Sequence, residues 1–147
     1  MIVRRATLDD ILALRHAELR PGLPLETARF DGDDEPATVH VAAFDGDDVV
    51  GCASFMQRSF EDAPAFQLRG MATRADRRGR GIGAAVLAFG VDAVRATLLW
   101  CNARIAAVPF YEGQRWTVVS DEFDIPTVGP HRVMMRECAP GAPPATS

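Results

Sequence analysis

Apolar positions recur along this chain with two periods, one of three to four residues and one of two. Ile2 to Arg5 reads as a short strand. After it, Leu8, Ile11, Leu12 and Leu19 fall on one face of a helix, so a first helix is predicted to run to about Leu19. Thr7 supplies a hydroxyl cap three residues before Asp10, whose carboxylate suits the positive end of that helix. The stretch Arg20 to Pro24 breaks it, and a short helical turn is expected around Leu25 to Phe30, before the acidic loop Asp31 to Pro36. Thr38 to Phe44 and Val49 to Gln57 read as strands joined by Asp45-Gly46-Asp47-Asp48, where Asp-Gly supplies the positive backbone angles of a tight hairpin. A fourth strand, Ala65 to Thr73, leads through Arg74 to Gly83 into an apolar helix with Ile82, Val86, Phe89 and Ala93 on one face. A strand at Thr97 to Ala103 follows, then a helix beginning near Pro109 and two last strands, Thr117 to Glu122 and Arg132 to Glu137. This order predicts an α/β domain over residues 1–138, a mixed sheet with helices on both faces. The tail, 139–147, is small residues and proline and is expected to be disordered.

Composition narrows the chemistry. The chain has 147 residues, 48% hydrophobic and 24% charged, with a net charge of -4, which suits one globular domain. Sixteen cations face 20 acidic residues without a long basic block, so no nucleic-acid partner is expected. The longest uncharged run, Gly81 to Val91, is 11 residues, against the roughly 20 of a membrane span. The start, Met1-Ile2-Val3-Arg4-Arg5, lacks a signal-peptide apolar core, and a cytoplasmic location is expected. All 16 cations are arginine. A Schiff-base enzyme on pyridoxal phosphate and a Walker-type phosphate loop each need a lysine amine, so both are excluded. Cys52, Cys101 and Cys138 are too scattered for a Cys-x-x-Cys site, and with only three histidines no metal site is expected.

The segment Arg77-Arg78-Gly79-Arg80-Gly81-Ile82-Gly83 is the most informative. Glycines at alternate positions let the backbone approach a ligand, the following helix points free amides at it, and the arginines add positive charge. Together they describe a phosphate or pyrophosphate site. A dinucleotide fingerprint fits loosely as Gly79, Gly81 and Ala84. The next strand, however, offers no carboxylate for the ribose hydroxyls, although Arg104 suits a 2′-phosphate, so an NADP-binding Rossmann-like oxidoreductase stays as an alternative.

Arg78-Gly79-Arg80-Gly81-Ile82-Gly83 fits the pattern Arg/Gln-x-x-Gly-x-Gly/Ala better, and here the chain resembles the GNAT superfamily of acetyl-CoA-dependent N-acyltransferases. The resemblance runs from the first strand to about Arg136. It implies a mixed, mostly antiparallel sheet of six or seven strands with about four helices. It also implies that Arg78, Gly79, Arg80, Gly81, Ile82 and Gly83 hold the pyrophosphate of coenzyme A, and that Met71, Ala72 and Thr73 pair with its pantetheine arm. An amide near Met71 would polarise the thioester carbonyl. Gly70 marks a candidate bulge that splays the fourth and fifth strands apart. The family's asparagine position holds Arg104, with Asn102 two residues before it, so both are cofactor-binding candidates.

Tyr111, the only tyrosine, lies where the family places the acid that protonates the departing thiolate. The family's Tyr-x-x-x-Gly-Phe appears as Tyr111-Glu112-Gly113-Gln114-Arg115-Trp116, and Gly113 is expected to end the helix in place of the lost glycine. The fourth strand lacks the glutamate that many members use as a base. His131 is the catalytic candidate in its place. His40 is a second candidate base and a substrate contact, and Arg69 is a candidate for an anionic group on the substrate or for pairing with Glu122. The expected reaction is direct transfer from acetyl-CoA to the primary amine of a small molecule or peptide, without a cysteine or serine intermediate. A non-catalytic acyl-CoA-binding sensor is the alternative of another class, and exposed sheet edges allow a homodimer.

Overall fold

The computed structural model describes residues 1–138, so the expected disordered tail, 139–147, lies outside the described residues. The elements are β1 (Ile2–Ala6), α1 (Leu8–Leu19), β2 (Val39–Asp45), β3 (Asp48–Gln57), β4 (Phe66–Thr73), α2 (Ile82–Val94), β5 (Leu98–Arg104), α3 (Val108–Gly113), β6 (Thr117–Val118), β7 (Phe123–Ile125) and β8 (Gly129–Glu137). Single 3₁₀ turns cover Leu25–Ala28, Ala75–Arg77 and Ile105–Ala107. One sheet runs β1-β2-β3-β4-β5-β8-β6, with β7 also on β8. Only the β4–β5 pair is parallel.

Alternation along β2 and β3 makes the layers. Val39, Val41, Ala43 and Phe55 face α2, while Ala42, Phe44 and Cys52 face α1, so the middle of the sheet is buried on both sides. Thr7 closes the start of α1 reciprocally: the Asp10 amide donates to its hydroxyl at 3.2 Å and its own amide donates to the Asp10 carboxylate at 2.9 Å. Two expectations are corrected. The sheet has eight strands rather than six or seven, because Thr117 to Glu122 pairs over only two residues before the chain turns and 123–125 pairs separately. There are three α-helices among the described residues rather than about four, because the Leu25 segment closes a single turn. On α2 the buried face is Ile82, Val86, Leu87 and Gly90, with Phe89 and Ala93 only half-buried. Gly90 lies on that face because a Cβ there would stand 2.0 Å from the Phe55 ring.

The cleft in the sheet follows from one bulge. Between the pairs Cys52↔Ala72 and Ser54↔Arg69, β4 advances three residues while β3 advances two. Gly70 takes up the extra residue at φ +65°. Pairing between β4 and β5 stops at Phe66↔Leu99 and Gln67↔Trp100, whereas β5 continues along β8 to Arg104. From Leu68 onward the β5-facing edge of β4 therefore has no strand partner.

Behind the bulge lies Arg15, fully buried. Its guanidinium donates to Asp33 Oδ2 at 2.7 Å and Oδ1 at 3.0 Å, to the Ala28 carbonyl at 2.9 Å and to Ser54 Oγ at 2.7 Å. It also stands 4.1 Å from the centre of the Phe30 ring. A Cβ at residue 70 would come within 2.8 Å of Arg15 Nε. Burial alone would raise the Asp33 carboxyl. Hydrogen bonds from Arg15 and the Phe30 amide, with the Arg15 charge, outweigh it and hold that group below its ordinary 3.8.

Asp33→Asn leaves a buried guanidinium without its counter-charge, and should cost about 3–5 kcal/mol. For a domain of this size that is a fall of roughly 9–15 °C in melting temperature, readable by calorimetry. Because the folded carboxyl titrates below the unfolded one, the stability it contributes is full above about pH 4 and is lost as pH falls through the depressed folded value. The same variant should accordingly show a shallower acid loss than the wild type.

Candidate active site

Two spaces open where β4 and β5 diverge. One, of about 190 Å³, is bounded by Gln67 to Met71 on β4, Cys101 to Arg104 on β5 and His131 on β8. The other, of about 430 Å³, runs from Met71, Ala72 and Thr73 past Glu18 and Phe110 to Arg78 and Gly83. Leu19, Met71, Arg104, Ala107 and Tyr111 line both, so the two spaces meet there.

The larger space ends at the start of α2. Gly79 and Gly81 have φ of +77° and +80°, and a Cβ on either would meet nothing, so the loop backbone stands open. The first helical bond there is from the Ala85 amide to the Gly81 carbonyl, and no side chain caps the helix. The amides of Ile82, Gly83 and Ala84 are thus left without intrahelical partners. Nearby, Arg78 forms an ion pair with Glu18 and Arg77 one with Asp45 at 2.7 Å, while Arg80 forms none among the described residues. Free amides, an open arginine and an unpaired strand edge fit coenzyme A: phosphates at the loop and an extended amide-bearing arm along β4.

Tyr111 is held at the junction by the end of its own helix. The amides of Arg115 and Trp116 donate to the carbonyls of Glu112 and Tyr111, the reciprocal pair of a Schellman cap. The left-handed residue of that cap is Arg115, at φ +74°. Gly113 ends the helix as expected but does not take the glycine's conformational place. Trp116 is buried 5.6 Å from the Tyr111 ring, which fixes the ring's height in the cleft. The Tyr111 hydroxyl donates only to Met71 Sδ, at 3.6 Å. Burial, with Cys101 alongside, pushes its hydroxyl up from the ordinary value, so it keeps its proton.

The remaining candidates separate by placement. His131 lines the smaller space and is 3% exposed. Its Nδ1 lies 2.7 Å from the Gly129 carbonyl, which can only accept, so in the neutral ring Nδ1 carries the proton and Nε2 the lone pair. Arg69 also lines this space, 4.4 Å from the Phe30 ring centre, and makes no ion pair with Glu122. Asn102 borders only the smaller space, whereas Arg104 borders both. His40 is corrected. It lines neither space, and its ring nitrogens are 2.7 Å from Ser54 Oγ and 3.0 Å from the Asp33 carbonyl, so it braces the Arg15 network. Cys101 is buried and its thiol is pushed up to about 12, which suits packing rather than nucleophilic attack. Among the described residues no group of histidines, cysteines and carboxylates converges as a metal site, and no helix is long and apolar enough to cross a membrane.

Splayed parallel strands over a glycine loop at a helix start define an acyl-CoA-binding transferase fold. The chain belongs to the acetyltransferase (GNAT) family, whose model matches residues 6–114. It is 30% identical over 145 residues to "Uncharacterized N-acetyltransferase YitI" of Bacillus subtilis (strain 168), covering 91% of this chain and 94% of that one. In structure it is similar to a ribosomal-protein-alanine N-acetyltransferase from Brucella melitensis, with a TM-score of 0.73 at 18% identity, covering 94% of this chain and 100% of that one. An aminoglycoside 6′-N-acetyltransferase complexed with coenzyme A superposes with a TM-score of 0.70 at 16% identity, covering 97% of this chain and 99% of that one. The mostly antiparallel sheet also removes the dinucleotide reading, which requires a parallel one.

Arg15, Arg20 and Phe30 were not among the sequence candidates. Arg15 carried a signal: it follows Ile11 by four residues and precedes Leu19 by four, so it sits within the apolar stripe. Arg20 and Phe30 carried none, because only the return of the 20–38 segment over β4 brings them to the cleft.

Two outcomes follow. Arg115→Gly should relieve a left-handed arginine and raise stability by about 0.5–1 kcal/mol, measured by urea denaturation. Iodoacetamide at about pH 8 should leave Cys52 and Cys101 unmodified in the folded protein, as mass spectrometry of its peptides would show, since burial pushes both thiols up to about 12.

Proposed function

We propose that this protein is an N-acetyltransferase that moves the acetyl group of acetyl-CoA directly to the primary amine of an acceptor. The observation that carries this reading is the meeting of two spaces at Met71 and Tyr111, a strand edge and glycine loop on one side and a separate cavity on the other. Bound acetyl-CoA supplies an activated thioester. The amides from Gly79 to Ala84, with Arg80, bind its pyrophosphate, and the free edge from Met71 to Thr73 holds its arm. The Met71 amide polarises the carbonyl. The amine nitrogen, entering from the smaller cavity, bonds to the acetyl carbon as the carbon–sulfur bond breaks. Tyr111 gives its proton to the sulfur, and its thioether contact is weak enough to release that proton to a better acceptor. His131 Nε2 takes the proton that the amine loses.

The cavity wall also acts on the amine. Among its lining residues no aspartate or glutamate meets an incoming ammonium, while Arg20, Arg69 and Arg104 do. Cations nearby favour the neutral, nucleophilic form. Proton removal is therefore shared between His131 and the field of the cavity.

At one hundred times its dissociation constant acetyl-CoA adds about 2.7 kcal/mol, so a melting-temperature rise of roughly 5–11 °C is expected, against none for NADPH. Tyr111→Phe should lower kcat by about 10²-fold or more while the Kd for coenzyme A stays within about twofold. His131→Gln should lower kcat by about 10²-fold. An unaltered kcat in Tyr111→Phe would dispose of the acid role. Binding of acetyl-CoA without transfer to any amine would make the chain a sensor rather than an enzyme.

A further inference from the structure

Arginines converge in the smaller cavity in an unusual way. Arg20 and Arg104 come from the end of α1 and the end of β5, far apart in sequence, yet both donate to the same carbonyl, that of Leu19, at 2.9 and 3.3 Å. Arg20 and Arg69 share the Phe30 ring, with guanidinium carbons 5.4 and 4.4 Å from its centre. All three line the cavity and are half-buried, and none forms an ion pair among the described residues. Asp33, the nearest buried carboxylate, is committed in both oxygens to Arg15.

Such an arrangement is costly without a ligand. Burial, followed by the charges of Arg104 and Arg15, pulls Arg20 below the ordinary arginine range. Burial and Arg15 do the same to Arg69, more than Asp33 restores. Three cations gathered against one ring and one carbonyl, in a space without a carboxylate, lack the one component that would balance them. Guanidinium forks match planar or tetrahedral oxyanions through paired hydrogen bonds.

We infer that the acceptor is a small amine carrying an oxyanion, a carboxylate or a phosphate-type group, which Arg20, Arg69 and Arg104 bind in the 190 Å³ cavity while its amine faces Tyr111 and His131. This rests on the acetyl-transfer reading and narrows its substrate class. It also sets this cavity against polycationic acceptors, which the same three charges repel.

Three amines of similar reach, propylamine, β-alanine and 2-aminoethylphosphonate, and one longer polycation, spermidine, test the inference, each given to the full chain with acetyl-CoA while coenzyme A release is followed. The expected result is a kcat/KM for β-alanine or the phosphonate at least about tenfold above propylamine, with spermidine lowest. Which of the two anions leads distinguishes a carboxylate from a phosphate-type acceptor. Arg69→Gln should collapse the anionic-to-neutral ratio about tenfold, and Arg69→Lys should restore part of it. Propylamine or spermidine equal to or better than both anions would overturn the inference and leave acetyl transfer standing. If no amine is acetylated, the transfer reading fails instead, and anion binding decides the cavity by itself. Propionate or methylphosphonate should then raise the melting temperature of the coenzyme A-saturated wild type but not of Arg69→Gln. No rise in either protein would overturn the anion site.

Discussion

One buried cation organises the acceptor half of this molecule. Arg15 reaches inward from α1 and joins, through its hydrogen bonds and the Phe30 ring, the 3₁₀ turn, the acidic loop, β3 and the bulge of β4. A guanidinium without exposure needs its charge balanced, and Asp33 does this in a fork geometry on its two terminal nitrogens, while Nε is left without a partner. The consequence reaches beyond stability. The segment that supplies Arg20 and Phe30 to the cavity is the segment that Asp33 and the Ala28 carbonyl tie to the helix. Should Asp33 let go, the cavity wall goes with it.

The bulge at Gly70 is the second constraint, and it is fitted to the first. Its positive φ admits glycine readily, and the missing side chain leaves room for Arg15 Nε and Phe30. On its other side the bulge ends β4–β5 pairing after two residue pairs, so backbone groups that would complete a sheet face a cleft instead. Unpaired strand edges are usually a liability. Here the edge is enclosed between α3 and the glycine loop, where an extended ligand arm can complete it. One backbone irregularity thus separates two spaces and makes them meet at Met71 and Tyr111.

Similarity to solved structures at 16–18% identity shows a shared scaffold and no more. The smaller space of this chain has its own character: it is lined by arginines without carboxylates, and it holds a histidine whose Nδ1 faces the Gly129 carbonyl. Function in such a fold resides in the site grafted onto it.

Much of this was legible in the chain itself. Periodicity located the main helices and most strands, Thr7 and Asp10 announced the cap of α1, and the glycine spacing from Arg78 to Gly83 announced an open loop at the start of α2, because each depends on residues a few positions apart. Tyr111 and the Gly70 bulge were legible for the same reason, through local patterns. The base was not. His40 and His131 look alike as sequence, and only packing shows one with both nitrogens engaged beside Arg15 and the other with a free nitrogen at the cleft. Nor could local rules locate Arg15, since a charge is ordinarily assigned to the surface, or gather Arg20, Arg69 and Arg104, which lie on different elements. The local chain determined the scaffold and the cofactor side, where the chemistry belongs to contiguous backbone. Tertiary structure alone decided the acceptor side, because its charges meet only when distant segments close over the bulged strand.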